Sequence, residues 1–108
     1  MEQLANWNIE AMTGYKPKTT FYTDFSIADH YGKKAIGDTF NRAFEEWQHN
    51  TEYVTELAMA LNWKSWEHYD KGNKDYAKLY TELYLMVDDW CLEHLKGDDI
   101  KYYLRTTD

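Results

Sequence analysis

Between Asn50 and Gly97 the chain carries two long stretches of helical spacing, separated only by Lys71, Gly72 and Asn73. Asn50 and Thr51 offer side-chain oxygens to the free N–H groups of a helix start, and Gly72 supplies the left-handed conformation that ends one. Asn73 restarts the pattern, which runs to about Lys96 and closes at Gly97, with the Lys96 cation where the helix dipole favours it. A connection this short makes the two helices antiparallel neighbours, an αα-hairpin. A third helix is predicted from Lys33 to Gln48: at 100° per residue Ile36, Phe40, Ala43, Phe44 and Trp47 share one side, and Asp38, Asn41, Arg42, Glu45 and His49 the other. The expected fold class is therefore mainly α, a three-helix arrangement built on an antiparallel αα-hairpin.

The ends are less constrained. Residues 1–18 hold Trp7 and Ile9 without a sustained period and finish in Gly14, Tyr15, Lys16 and Pro17, so they read as a loosely ordered arm ahead of a single helical domain over 19–108. Phe21, Thr23 and Phe25 alternate with Thr20, Tyr22 and Asp24, as in a short strand, while Asp24 equally suits a short helix ending near His30. In the tail Ile100, Tyr102 and Leu104 alternate with Lys101, Tyr103 and Arg105. A strand there, paired with residues 19–25 in a small two-stranded sheet, is preferred over a helical turn capped by Asp98 or Asp99.

Composition limits the function classes. A chain of 108 residues with 44% hydrophobic and 18% aromatic content has the material for one packed domain. The net charge of −7 repels phosphate backbones, which disfavours direct nucleic-acid binding. Cys91 is the only cysteine and closes no intrachain disulfide. No apolar run suits a membrane span or a signal peptide, so the cytoplasm is the expected compartment, with no membrane partner.

Asp24 to Asp29, Asp38 to Phe44, Thr55 to Met59, and the ending from His94 through Gly97 and Tyr103 to Asp108 resemble small uncharacterised accessory proteins of mobile elements in Gram-positive gut bacteria. The resemblance spans roughly residues 20–108 and includes no functional motif. It implies a bacterial cytoplasm and a partner among host or element proteins, and it assigns no residue a role.

Three constellations invite a chemical reading. Glu46-Trp47-Gln48-His49 has the Glu-x-x-His spacing of carboxylate-bridged metal bundles, but no second copy occurs and His49 lies on the polar side of its helix. Cys91 and His94 lie one turn apart, and in the hairpin position 94 comes level with about position 50, so His49 and Thr51 are within conceivable reach. A buried thiol and a histidine bonded to a carbonyl explain the pair more simply, as does the same view of His68. Trp66-Glu67-His68-Tyr69-Asp70 is rich in acid–base groups, yet Glu67 and His68 diverge by about 100° on a helix. No catalytic residue, metal site or cofactor is expected.

Two surfaces remain. Val54, Leu57, Ala58, Leu61 and His68 form one face of the helix that ends before Gly72, with Met59, Trp63 and Trp66 opposite; Leu85 and Leu92 project behind the main face of the helix from about Lys74 to Lys96. Met59, Trp63, Trp66, Leu85 and Leu92 are the expected partner-binding residues, for a second copy or another protein. Glu82, Asp88, Asp89, Glu93, Asp98 and Asp99 against Lys96 give residues 82–99 a local charge of −5. The expected function is a non-enzymatic protein-interaction module, homo-oligomeric or not. The alternatives are an acidic inhibitor of a basic, DNA-binding protein and a small metal-dependent or hydrolytic enzyme using Cys91, His94 and His49.

Overall fold

The computed structural model describes residues 19–107, which form five helices: α1 (Phe21–Asp29), α2 (Lys33–Trp47), α3 (Thr51–Asp70), α4 (Lys74–His94) and α5 (Asp98–Thr107). The arm expected over residues 1–18 lies outside the described residues.

The chemistry at the helix ends explains the boundaries of the longest elements. Asn50 Oδ1 accepts the Tyr53 N–H at 3.1 Å and satisfies one free donor at the start of α3. At the other end Gly72 takes φ +81°, the Asn73 N–H donates to the His68 carbonyl at 2.8 Å, and the Gly72 N–H donates to the Tyr69 carbonyl at 3.1 Å. Those two bonds are a Schellman ending, which consumes the last carbonyls of α3 and reverses the chain. α4 then runs back along α3: Ser65 Oγ donates to the Ala77 carbonyl at 3.1 Å and lies 2.6 Å from Thr81 Oγ1.

α3 is the central element, and α1, α2, α4 and α5 all pack on it. Its burial follows from that position: Val54, Leu57, Ala58, Ala60 and Leu61 are buried around more than one side, together with Thr55, Glu56, Lys64 and His68. A helix enclosed by four others needs no single apolar stripe. The core is completed by Phe25 of α1, edge-on to Tyr80 of α4, and by Phe40 of α2, stacked on Phe44, which meets Trp90 of α4. Thr19 ties the entry to α1 onto α3, its N–H and hydroxyl both donating to Glu56 Oε1 at 3.0 and 2.8 Å.

The terminal sheet does not form: among the described residues there is no strand, and five helices replace the expected three. Residues 21–29 are helical because Phe21, Tyr22, Phe25 and Ala28 fall on one face and reach the core together. Residues 98–107 are helical because Tyr103 inserts fully into the core, where its hydroxyl donates to Asp88 Oδ1 at 2.6 Å, while Leu104 stays exposed. Asp98 and Asp99 occupy the first turn of α5, where the helix dipole favours negative charge. No helix among the described residues is long and apolar enough to cross a membrane.

Candidate functional site

The line Val54, Leu57, Leu61, Lys64, His68 follows one face of α3, and it changes from apolar to charged where α1 crosses it. There the Lys64 ammonium, only 1% exposed as a residue, is surrounded by oxygen atoms. It lies 2.7 Å from Asp29 Oδ2, 2.5 Å from Glu67 Oε2 and 3.2 Å from Ser26 Oγ. It also stands 5.1 Å from the centroid of the Tyr22 ring, a cation–π distance. Tyr22 itself donates its hydroxyl to Glu67 Oε1.

Asp29 is the hub. Its Oδ1 accepts the Tyr80 hydroxyl at 2.5 Å, and its Oδ2 receives His68 Nε2 at 2.9 Å besides Lys64. The Asn73 side-chain amide reaches His68 Nδ1 at 3.4 Å, which suits an imidazole protonated on Nε2 and accepting on Nδ1. The His68 ring is held between aromatic neighbours, stacked on Tyr80 at 5.5 Å and edge-on to Tyr76 at 5.2 Å. The network is therefore built from side chains of α1, α3 and α4, with Asp29 and His68 joined to α4 through Tyr80 and Tyr76.

Two carboxylates and one imidazole within this network place ligand atoms within 4.8 Å of one another: Asp29, Glu67 and His68. Two oxygens and a nitrogen suit a borderline or hard divalent cation such as zinc or manganese. The Lys64 ammonium, however, already contacts the same two oxygens, Asp29 Oδ2 and Glu67 Oε2. A divalent ion enters only if that cation leaves.

The surroundings bias the titrating groups in opposite directions. Partial burial on its own raises the Glu67 carboxyl, but hydrogen bonds from Lys64 and Tyr22 and the charges of Lys64 and Lys71 outweigh it and hold the group below the usual carboxylate range. Tyr22 and Tyr80 are pushed well above ordinary phenols by burial, then by hydrogen bonds to Glu67 and Asp29. Burial, followed by the hydrogen bond to Asp88, does the same to Tyr103.

These shifts have a definite sign. A group whose folded pKa is raised contributes stability below its unfolded pKa and loses it as the pH climbs toward the folded value. Three such tyrosines predict that stability falls steeply above about pH 10, the ordinary tyrosine value. The lowered Glu67 acts at the other end: its contribution is present above its unfolded pKa of about 4.3 and is lost as the pH drops through the folded value. Urea midpoints measured from pH 3 to 12 are expected to decline on both sides, and a flat alkaline limb would contradict the burial of the phenols.

The ligand trio considered from the sequence does not assemble. Cys91 is fully buried on α4, where burial and then the Asp88 charge push its thiol up to about 12, far from a thiolate at neutral pH. His94 stacks on Trp90 at 4.6 Å and contacts the Trp90 carbonyl through Nδ1 at 3.0 Å, and His49 meets the same indole edge-on at 6.3 Å. Among the described residues neither that trio nor the Glu46 and His49 pair belongs to a three-ligand cluster. Asp29 and Lys64 are the functional candidates that sequence reasoning missed. The available signal was Lys64 itself, a cation three residues after Leu61 and seven after Leu57 on a buried face.

The expected partner-binding residues divide. Trp66 and Leu85, 59% and 48% exposed, line one open cleft of about 890 Å³ between α3 and α4, together with Tyr69, 62% exposed, and with Ser65, Ala77 and Thr81. Leu92 is exposed two turns further along α4, whereas Trp63 packs against the core and Met59 is half-buried. Of the acidic residues, Glu82, Asp89 and Glu93 project from α4 into solvent. Asp88 accepts from Tyr103, and Asp98 and Asp99 start α5.

Comparisons with family models, with curated proteins and with solved structures give no match.

Proposed function

We propose that this chain is a non-enzymatic protein-interaction module whose docking face is the cleft between α3 and α4, the two helices acting as an antiparallel hairpin that presents it. The observation that carries this reading is the exposure of Trp66, Tyr69 and Leu85 around one concavity. Large aromatic side chains at the mouth of an apolar cleft are the residues that dominate binding energy at interfaces. The resemblance to mobile-element accessory proteins puts the partner among proteins of a bacterial cytoplasm. The acidic-inhibitor alternative is less supported, because Asp88, Asp98 and Asp99 already have roles within the fold.

A photoreactive phenylalanine analogue at Tyr69 tests the reading in cells. The expected result is a discrete protein adduct that disappears when the probe is moved to Lys34, on the outer face of α2. Equal labelling at both positions, or none, overturns it.

The metal-dependent alternative has one specific observation in its favour, the Asp29, Glu67 and His68 cluster. It requires Lys64 to yield its place, so it is the second reading. Calorimetric titration with zinc or manganese separates the two: one equivalent bound by the native chain and lost in Asp29→Asn supports a metal site. No binding leaves the cluster as an internal ion network.

A further inference from the structure

Glu52, Glu56, Met59, Trp63, Trp66 and Asp70 follow one another at spacings of four and three residues, which align them along one side of α3. Glu52, Trp66 and Asp70 are exposed, Met59 and Trp63 half-buried, and Glu56 buried. The middle of this line is apolar, both its ends are acidic, and it carries no cation. The two lysines in that half of the helix and just beyond it, Lys64 and Lys71, are drawn to Glu67 instead.

The chain enters the fold at this line. Thr19 holds Glu56 Oε1 with both its backbone N–H and its hydroxyl, at 3.0 and 2.8 Å, so Lys18 begins one residue from the strip. Lys18 and Lys16 are the first charges on that side of Thr19, and Glu56 and Glu52 lie one helical turn apart beside it. Pro17 and Gly14 are turn-forming residues, and Leu4, Trp7, Ile9, Met12 and Tyr15 supply apolar side chains beyond them. Glu56 and Trp66 are ten residues apart on the helix, about 15 Å, which about five extended residues span. A segment tethered at Thr19 meets that surface at a far higher local concentration than a free partner does. Glu2 and Glu10 find no cation on the line, so the charge match is confined to the two lysines and the rest of the contact is apolar.

We infer that the apolar side chains between Leu4 and Tyr15 dock on Met59, Trp63 and Trp66, with Lys16 and Lys18 paired to Glu52 and Glu56, and that this intrachain strap competes with an outside partner for Trp66. The competition rests on the docking reading above, because Trp66 borders the cleft. The strap itself does not.

A photoreactive phenylalanine analogue at Trp7 of the full chain tests the strap, with isotopically labelled and unlabelled copies mixed so that mass spectrometry separates adducts within a chain from those between chains. The expected adduct joins position 7 to the stretch 59–66 of the same chain. Lys16→Glu with Lys18→Glu lowers its yield by about twofold or more, the scale of exposed ion pairs, and adding Glu52→Lys restores part of it. Circular dichroism shows each variant folded. An adduct spread evenly over α1 to α5, one formed only between copies, or none on 59–66 overturns the inference, and a yield indifferent to the charge reversals overturns the lysine pairing. Trp7→Ser with Ile9→Ser is expected to raise the yield of the Tyr69 adduct in cells. A Tyr69 adduct of unchanged yield overturns the competition, whereas no Tyr69 adduct in either chain removes the docking reading and leaves the strap to be judged by the probe at Trp7.

Discussion

Replacing Lys64 with Met is expected to destabilise the protein by ~3–5 kcal/mol, the usual cost of deleting one partner from a buried ion network. The methionine fills much of the same volume, so the loss is electrostatic. Asp29 and Glu67, brought to within hydrogen-bond reach of one ammonium, are left facing each other with no cation between them. Lys71, 3.9 Å from Glu67 Oε2 and largely exposed, cannot replace it. Adding Asp29→Asn to Lys64→Met removes the strongest uncompensated charge and is expected to recover part of the loss, since paired deletion is less costly than single deletion. Guanidinium unfolding of the native chain, both single variants and the double variant measures the coupling. A loss below about 1 kcal/mol for Lys64→Met, the magnitude of a surface pair, would mean that the ammonium is not held between the carboxylates.

That network also shows where sequence reasoning stops. α2, α3 and α4 are legible because their signals are local: the Ile36, Phe40 and Ala43 spacing, the Asn50 cap, and the Gly72 and Asn73 ending each involve residues within a few positions of one another. Asp29 and Lys64 are 35 positions apart, and their meeting depends on how α1 crosses α3, which no local pattern encodes. Glu67 and His68 diverge on α3, as helical geometry requires, and yet both belong to the network. Lys64 reaches Glu67 along the helix, and Asp29 joins them by contacting both Lys64 and His68. The apolar residues on two sides of α3 had two explanations in the sequence, enclosure or a partner. Enclosure by four helices accounts for α3, and the cleft leaves the second explanation to Trp66, Tyr69 and Leu85.

The tail offers the other large effect, and the sharpest contrast between two readings of the same residues. Ile100, Tyr102 and Leu104 alternate as a strand would, but Ile100 and Tyr103 are also one helical turn apart, so two adjacent tyrosines satisfy either period. The two readings bury different rings: a strand turns Tyr102 inward beside Ile100 and Leu104, whereas α5 buries Tyr103 and leaves Leu104 exposed. Tyr103→Ala is therefore expected to cost ~3–5 kcal/mol, the range for emptying an aromatic site in a core, with the Asp88 carboxylate losing its phenol donor as well. Tyr103→Phe keeps the ring and removes only the hydroxyl, so ~1–3 kcal/mol is expected. Tyr102→Ala, at a half-buried position, is expected to cost less than either. Thermal unfolding of the three variants orders them, and a larger loss for Tyr102→Ala than for Tyr103→Ala would put the wrong ring in the core and remove α5 as the element that covers this end of α3 and α4.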